Sequence, residues 1–181
     1  MWYNHAMTTI YLTGGAKNGK SALGQELACR LAAPGELYYV ATMIPHDGED
    51  RARVARHRRE RAGLGFITLE QGSELAALAR PQGFYLVDSV TALLTNLMFP
   101  PAGFDAEAPV KAAADLREFL RRAGGAVLIS DSIGADGGSY DPYTRSFMAG
   151  LAYLDRSLAA CCDVVAELVA GIPIVYKGCL P

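Results

Sequence analysis

The chain has 181 residues, 51% hydrophobic and 20% charged, with a formal net charge of −2; that suits one core, is short for two, and argues against disorder. The charge gives no reason to expect binding to nucleic acid by bulk electrostatics, and no apolar run approaches the ~20 residues needed to cross a bilayer. Cys29, Cys161, Cys162 and Cys179 form neither a Cys-x-x-Cys pair nor a zinc spacing, so reduced thiols in a cytoplasmic protein without a signal peptide are expected.

In chain order, Met7 directly precedes the first apolar segment, so residues 1–6 are expected to be an extension and 7–181 one domain. The β-favouring run Thr9-Ile10-Tyr11-Leu12 leads into Thr13-Gly14-Gly15-Ala16-Lys17-Asn18-Gly19-Lys20-Ser21, followed by an amphipathic helix predicted from Ala22 to Ala33. Strand, Gly-x-x-x-x-Gly-Lys-Ser and helix is the order that a phosphate-binding P-loop requires. Gly14, Gly15 and Gly19 let backbone N–H groups point inward, and the helix adds the positive end of its dipole to the same anion site. Lys20 is expected on the outer phosphates and Ser21 on Mg²⁺. The ligand is then a nucleoside triphosphate.

Leu37 to Thr42 is predicted as a buried strand, and Ala41-Thr42-Met43 should end it at the sheet edge that carries the P-loop, which makes these residues ligand contacts by position. Asp47-Gly48-Glu49-Asp50 opens a basic helix, Arg51 to Arg61. A short strand follows at Phe66 to Leu69, a weak helix at Ser73 to Ala79, and a buried strand from Phe84 to Val87 that closes on Asp88. That carboxylate is either a ligand for Mg²⁺ or its water shell, or the N-cap of the helix beginning at Ser89; both roles can hold. After the turn Pro100-Pro101-Ala102-Gly103 come a helix from Ala106 to Arg122, a strand from Ala126 to Asp131, a loop from Gly134 to Tyr143, and a helix from Tyr143 to Cys161. Two strands, Val164 to Val169 and Ile172 to Tyr176, meet across Gly171. Alternating strands and helices predict an α/β fold, a mostly parallel sheet with helices on both faces and an antiparallel edge hairpin.

The most unusual stretch is Arg51 to Arg61, with six arginines and one histidine in eleven positions. At helical spacing Arg53, His57 and Arg61 share a face, and flanking cations disfavour a charged imidazole, leaving a nucleophile. His57 could then attack a nucleotide phosphate while neighbouring arginines hold its oxygens. A solvated basic helix with a passenger histidine is the plainer alternative, and on residue statistics alone the commoner one. His5 and His46 read as surface residues, His46 near enough to the site for a minor contact.

Four blocks in this order and spacing resemble the bifunctional adenosylcobinamide kinase and adenosylcobinamide-phosphate guanylyltransferase family of cobalamin biosynthesis: Thr13 to Ser21; Tyr39-Val40-Ala41-Thr42; Arg53-Val54-Ala55-Arg56-His57-Arg58 with Arg61, then Phe66 to Glu70; and Leu86-Val87-Asp88-Ser89-Val90-Thr91 running to Leu97. The resemblance implies a RecA-like P-loop fold, a homotrimer, ATP, GTP and Mg²⁺ as nucleotides and metal, and a corrinoid substrate. It further implies phosphorylation of adenosylcobinamide, then transfer of GMP to its phosphate through a guanylylated histidine. That histidine falls on His57. GTP contacts fall on Gly14, Gly15, Ala16, Lys17, Asn18, Gly19, Lys20, Ser21, Ala41, Thr42, Met43, Arg58, Arg59, Glu60, Arg61, Glu70 and Asp88, with Lys20 catalytic in the kinase step and Ser21 and Asp88 on the metal. A carboxylate at Glu70 can accept hydrogen bonds from the guanine N1–H and amino group.

The chain departs from the family pattern in two places. Ser130-Asp131-Ser132-Ile133-Gly134 stands where Ser-Asn-Glu-Val-Gly is usual, and Asp155-Arg156 where Asn-Gln is usual. The first of these loops is expected to shape the corrinoid or subunit interface. Two other functions fit the residues less closely: a different small-molecule P-loop kinase with an inert His57, and a RecA-like nucleotide-switch module whose arginine helix meets a partner.

Overall fold

The computed structural model describes residues 8–32, 35–45, 48–133 and 138–181, and for Glu49, Asp50, Arg51, Arg53 and Glu60 the backbone alone. The expectations about residues 1–6, Met7, His5 and His46 lie outside the described residues. In chain order the elements are β1 (Thr9–Gly14), α1 (Lys20–Leu31), β2 (Glu36–Ala41), α2 (Gly48–Glu60), β3 (Ile67–Glu70), β4 (Gly83–Asp88), α3 (Val90–Met98), α4 (Ala108–Arg122), β5 (Gly125–Ile129), α5 (Pro142–Cys161), β6 (Val164–Val169) and β7 (Ile172–Lys177).

The strands form one sheet in the order β3-β2-β4-β5-β1-β6-β7. All neighbours are parallel except β6 and β7, which pair antiparallel across the Gly171 turn, as expected. The central strands are apolar on both faces because both faces are covered. Ile10, Leu12, Leu86, Val127 and Ile129 pack with Leu27 and Ala28 of α1. Tyr11, Tyr85, Val87 and Leu128 pack on the other side with α3, α4 and α5. The buried residues Ala112, Ala113, Leu116, Phe119 and Leu120 form a stripe at helical spacing along α4. Pro142 opens α5, where Asp141 accepts from the N–H groups of Tyr143 and Thr144. No described helix is long and apolar enough to cross a membrane.

One expected helix is not formed. Instead of a helix from Ser73 to Ala79 there is a single 3₁₀ turn, Leu75–Ala77. The Asp115 carboxylate on α4 accepts from the N–H of Leu75 at 2.7 Å and of Ala76 at 3.1 Å. The Tyr85 hydroxyl donates to the Leu78 carbonyl at 2.8 Å and accepts from Arg80 N–H at 2.9 Å. Glu74, left-handed at φ 53°, interrupts any helix that starts at Ser73, and Pro81 ends the segment.

The Asp155-Arg156 departure lies beneath the sheet. Asp155 on α5 accepts from the hydroxyl of Tyr11, fully buried in β1, and from Ser130 Oγ at 3.4 Å. Burial raises the Asp155 carboxyl above its usual range, partly opposed by those two hydrogen bonds. Because the folded chain holds this proton more tightly than the unfolded chain, the contribution to stability is full below the carboxyl's ordinary pKa and is lost as pH rises through the raised one. We expect Tyr11→Phe, which strands a buried carboxyl, to cost about 1–3 kcal/mol in urea unfolding. Asp155→Asn should gain on the unmodified chain as pH rises from mildly acid to neutral; a pH-independent difference would sink the assignment.

At the outer edge every residue of β7 is exposed, Ile172 by 67% and Tyr176 by 64%, so this rim is covered by nothing within the described residues.

Candidate active site

Gly14 ends β1 with φ 143°, and a Cβ there would sit 2.5 Å from the Leu168 carbonyl oxygen. Only glycine fits that turn. The Asn18 amide donates to the same carbonyl and ties the loop to β6. Gly15, Ala16, Lys17 and Gly19 line the loop, Lys17 with φ 59° and Gly19 with φ 95°. α1 then begins at Lys20 with no acidic residue in its first turn, so its free N–H groups and dipole face the loop without a competing charge.

Lys20 is only 5% exposed. Its Nζ donates to the Gly15 carbonyl at 2.6 Å and pairs with Asp131 Oδ1 at 3.0 Å. Ser21 Oγ donates to Asp88 Oδ2 at 3.1 Å, and the Tyr39 hydroxyl donates to the same oxygen at 2.8 Å. Asp88 is therefore the carboxylate of the loop. It is not the N-cap, because Ser89 caps α3 by accepting from Ala92 N–H. β5 stands between β1 and β4, so Ser21 meets Asp88 across an intervening strand. The hydroxyl and carboxylate converge as hard oxygen donors of the kind Mg²⁺ takes, with the remaining positions left to water and phosphate. Among the described residues no group of three or more His, Cys, Asp or Glu could hold a metal by itself.

Ala41, Glu70 and Asp88 stand in register on three neighbouring strands. Beside them a cleft of about 200 Å³ opens between Ala41, Thr42, Met43, Val54, Glu70 and Gly72. Asn96 holds its floor, donating to the Thr42 carbonyl at 2.7 Å and the Gly72 carbonyl at 3.2 Å. Thr42 is fully buried, its Oγ1 donating to the Ser89 carbonyl at 2.7 Å. The Glu70 carboxylate at the rim is ion-paired with Arg58 of α2. A second cleft of about 410 Å³ lies against Val54, Ala55, Arg58 and Arg59.

α2 connects the carboxyl end of β2 to the amino end of β3, so it descends against their direction. Just past it, Arg61 is 6% exposed, its guanidinium carbon 3.4 Å from the centroid of the Tyr39 ring. Its Nε and one terminal nitrogen have no hydrogen-bond partner among the described residues. His57 lies four residues before Arg61, whose N–H donates to its carbonyl, and next to Arg58, whose guanidinium reaches Glu70 at the end of β3. Its imidazole is half-buried.

The structure brings together Lys20, Ser21 and Asp88 as one group, and Ala41, Thr42, Met43 and Glu70 as another. Arg58 joins the second group; Arg61 joins the first through Tyr39. Arg59 is exposed on the second cleft, and the side chains of Glu60 and Arg53 lie outside the described residues. Asp131 departs from expectation: it meets Lys20 in the phosphate cradle, because β5 delivers it beside β1. In sequence Tyr39 reads as core, and only its place two residues before a strand end could have shown that its hydroxyl reaches Asp88.

A P-loop on a central strand, its lysine and serine opening a helix, and a carboxylate two strands away define a RecA-like P-loop nucleotide-binding enzyme. In fold the chain is similar to an ATPase domain of known structure (TM-score 0.57, 10% identity, covering 97% of this chain and 78% of that one). It is also similar to the ATP synthase subunit NeqB of Nanoarchaeum equitans (TM-score 0.54, 12% identity, 90% and 46% covered). Residues 10–176 match the family of cobinamide kinase / cobinamide phosphate guanyltransferase, and the chain belongs to it. It is 32% identical over 174 residues, 92% of this chain and 96% of the other, to the bifunctional adenosylcobalamin biosynthesis protein CobP of Pseudomonas aeruginosa. The chain is accordingly a transferase of cobalamin biosynthesis with kinase and nucleotidyltransferase activities.

Proposed function

We propose that the chain phosphorylates adenosylcobinamide with ATP or GTP and then transfers GMP from GTP to the new phosphate through His57, giving adenosylcobinamide-GDP. What supports this most is that Ser21 and Asp88 meet at the P-loop while Arg58, the residue after His57 on α2, reaches Glu70 at the rim of the adjoining cleft. A triphosphate lying over the loop with its base in that cleft has its α-phosphorus beneath the helix.

In the transfer reaction an imidazole nitrogen of His57 attacks the α-phosphorus, the bond to the bridging oxygen breaks, and pyrophosphate leaves. The ring sheds its other N–H proton, leaving a phosphoramidate with a neutral ring and one negative charge on its phosphoryl oxygens. An oxygen of the corrinoid phosphate then attacks the same phosphorus, the P–N bond breaks, and the imidazole regains a proton. Two oriented steps replace one unfavourable encounter. Lys20 exchanges Gly15 and Asp131 for phosphate oxygens, and the desolvated donors of Arg61 face the charge that develops. A bound Mg²⁺, held by Ser21 with Asp88, would neutralise phosphate charge. We assign the base contacts to Ala41, Thr42, Met43 and Glu70, and the loop contacts to Gly14 through Ser21. Arg58, Arg59 and Glu60 remain assigned to GTP on the resemblance. Four free cysteines suit a cytoplasmic enzyme, and the exposed rim at β7 suits a homotrimer.

The experiment is intact-mass measurement after incubation with GTP and Mg²⁺. One GMP unit per chain, discharged by adenosylcobinamide phosphate, is expected; γ-phosphoryl transfer without any covalent guanylyl protein would overturn the histidine route. Base choice gives a separate expectation. Glu70→Gln replaces one acceptor by a donor opposite guanine, so the preference for GTP over ATP in adduct formation should fall roughly 10–100-fold. An unchanged preference removes Glu70 from the base site.

A further inference from the structure

We infer that Tyr39 is a positioning residue with two separable parts, a hydroxyl that sets the Asp88 carboxylate for the metal and a ring that seats Arg61 at the end of the His57 helix. The inference rests on the proposed function, in which phosphoryl transfer needs the cation and GMP transfer needs both the cation and α2.

Register places the hydroxyl. Tyr39 pairs with Leu86, two residues before Asp88 on β4, so its backbone lies about 7 Å below the carboxylate's. The phenol crosses that distance and donates to Asp88 Oδ2 at 2.8 Å, the oxygen that also accepts from Ser21 Oγ at 3.1 Å. A carboxylate oxygen offers two lone-pair directions, so the two hydroxyls fill Oδ2, fix the plane of the group and leave Oδ1 for the cation or its water shell. Ser21 keeps its donation when its own lone pair turns to Mg²⁺. Tyr39 is then the outer partner that holds the metal's carboxylate in one orientation, without touching the metal itself.

The ring has a different neighbour. Tyr39 is 4% exposed, Phe66 meets it edge-on with centroids 6.0 Å apart, and the Arg61 guanidinium carbon lies 3.4 Å from its centroid. Arg61 directly follows α2, and its N–H donates to the His57 carbonyl at 3.2 Å. Its Nε and one terminal nitrogen have no partner among the described residues. A guanidinium seated on an aromatic face is held without spending its donors, so these two stay available to an anion. A carboxylate in the place of the ring would have consumed them.

The test pairs Tyr39→Phe, which keeps the ring and loses the hydroxyl, with Tyr39→Leu, which loses both. Mn²⁺ binding is titrated by electron paramagnetic resonance in the presence of a GTP analogue with a methylene α–β bridge, and each half-reaction is followed against Mg²⁺ concentration. We expect Y39F to weaken Mn²⁺ binding about 10–100-fold and to raise the half-saturating Mg²⁺ of both half-reactions, the loss appearing in the metal requirement rather than in the rate at saturation. Y39L should show the same weakening, and at saturating Mg²⁺ its GMP adduct formation should fall by about a further 10²-fold while phosphoryl transfer changes by less than about tenfold. Unchanged Mn²⁺ binding by Y39F overturns the role of the hydroxyl. Equal losses of both half-reactions in Y39L at saturating metal reduce the ring to core packing and overturn its role. If Y39L does not fold, Arg61→Lys takes its place, with adduct formation again expected to fall alone. If the unmodified chain forms no GMP adduct, the proposed transfer fails first and takes the ring's role with it, whereas the Mn²⁺ titration still decides the hydroxyl.

Discussion

His57→Ala should abolish the covalent GMP adduct, lowering label transfer from α-labelled GTP to protein by at least about 10³-fold, since no other group would supply the attacking nitrogen. The other nitrogens at the site are arginines, always protonated and without a lone pair to offer, and Lys20, an ammonium held by Asp131 and the Gly15 carbonyl. The γ-phosphoryl transfer, which draws on Lys20 and not on the imidazole, should change by less than about tenfold. In the unmodified chain the adduct should be labile to acid and stable to base, as a phosphoramidate is and an ester is not. An adduct with that stability in the alanine variant would falsify the assignment, because the nucleophile would then lie elsewhere.

Lys20→Met should lower both half-reactions by about 10²–10³-fold, a loss that pairs it with His57 in size but separates it in kind. Lys20 and Arg61 are the two buried cations among the described residues, and only Lys20 opens the helix of the loop. Both reactions build negative charge on phosphate oxygens over that helix, so both lose the same ammonium. Steady-state kcat/KM for phosphoryl transfer and the rate of adduct formation check this, with Lys20→Arg reporting whether a cation of another shape serves. A loss confined to one reaction would mean that the triphosphate does not lie over the loop in the other.

Much of this was legible in the residues. Gly14 to Ser21 carries its own geometry, since glycine spacing and a following helix leave the chain few ways to turn. Apolar runs closed by a single acid mark β4 and Asp88, and Gly171 between two β-favouring runs marks the hairpin of β6 and β7. What could not be read depends on which strands become neighbours. Nothing local says that β5 inserts between β1 and β4, and that insertion alone puts Asp131 against Lys20, far away in the chain. The same limit hid the Tyr11 and Asp155 pair: an acid on an amphipathic helix reads as surface until the strand beneath it shows a hydroxyl. The cover over Arg61 was equally hidden: it stacks on Tyr39, and a guanidinium loses less on an aromatic face than an ammonium would.

Among the described residues nothing covers β7. A bare outer strand invites further strands to add, the route by which sheets run on into fibres. Pro173 lies within β7, opposite Leu168, and a proline in a strand leaves a gap in the row of donors that an incoming strand would need. The strand thus resists backbone pairing with a newcomer and presents instead the exposed side chains of Ile172, Ile174 and Tyr176.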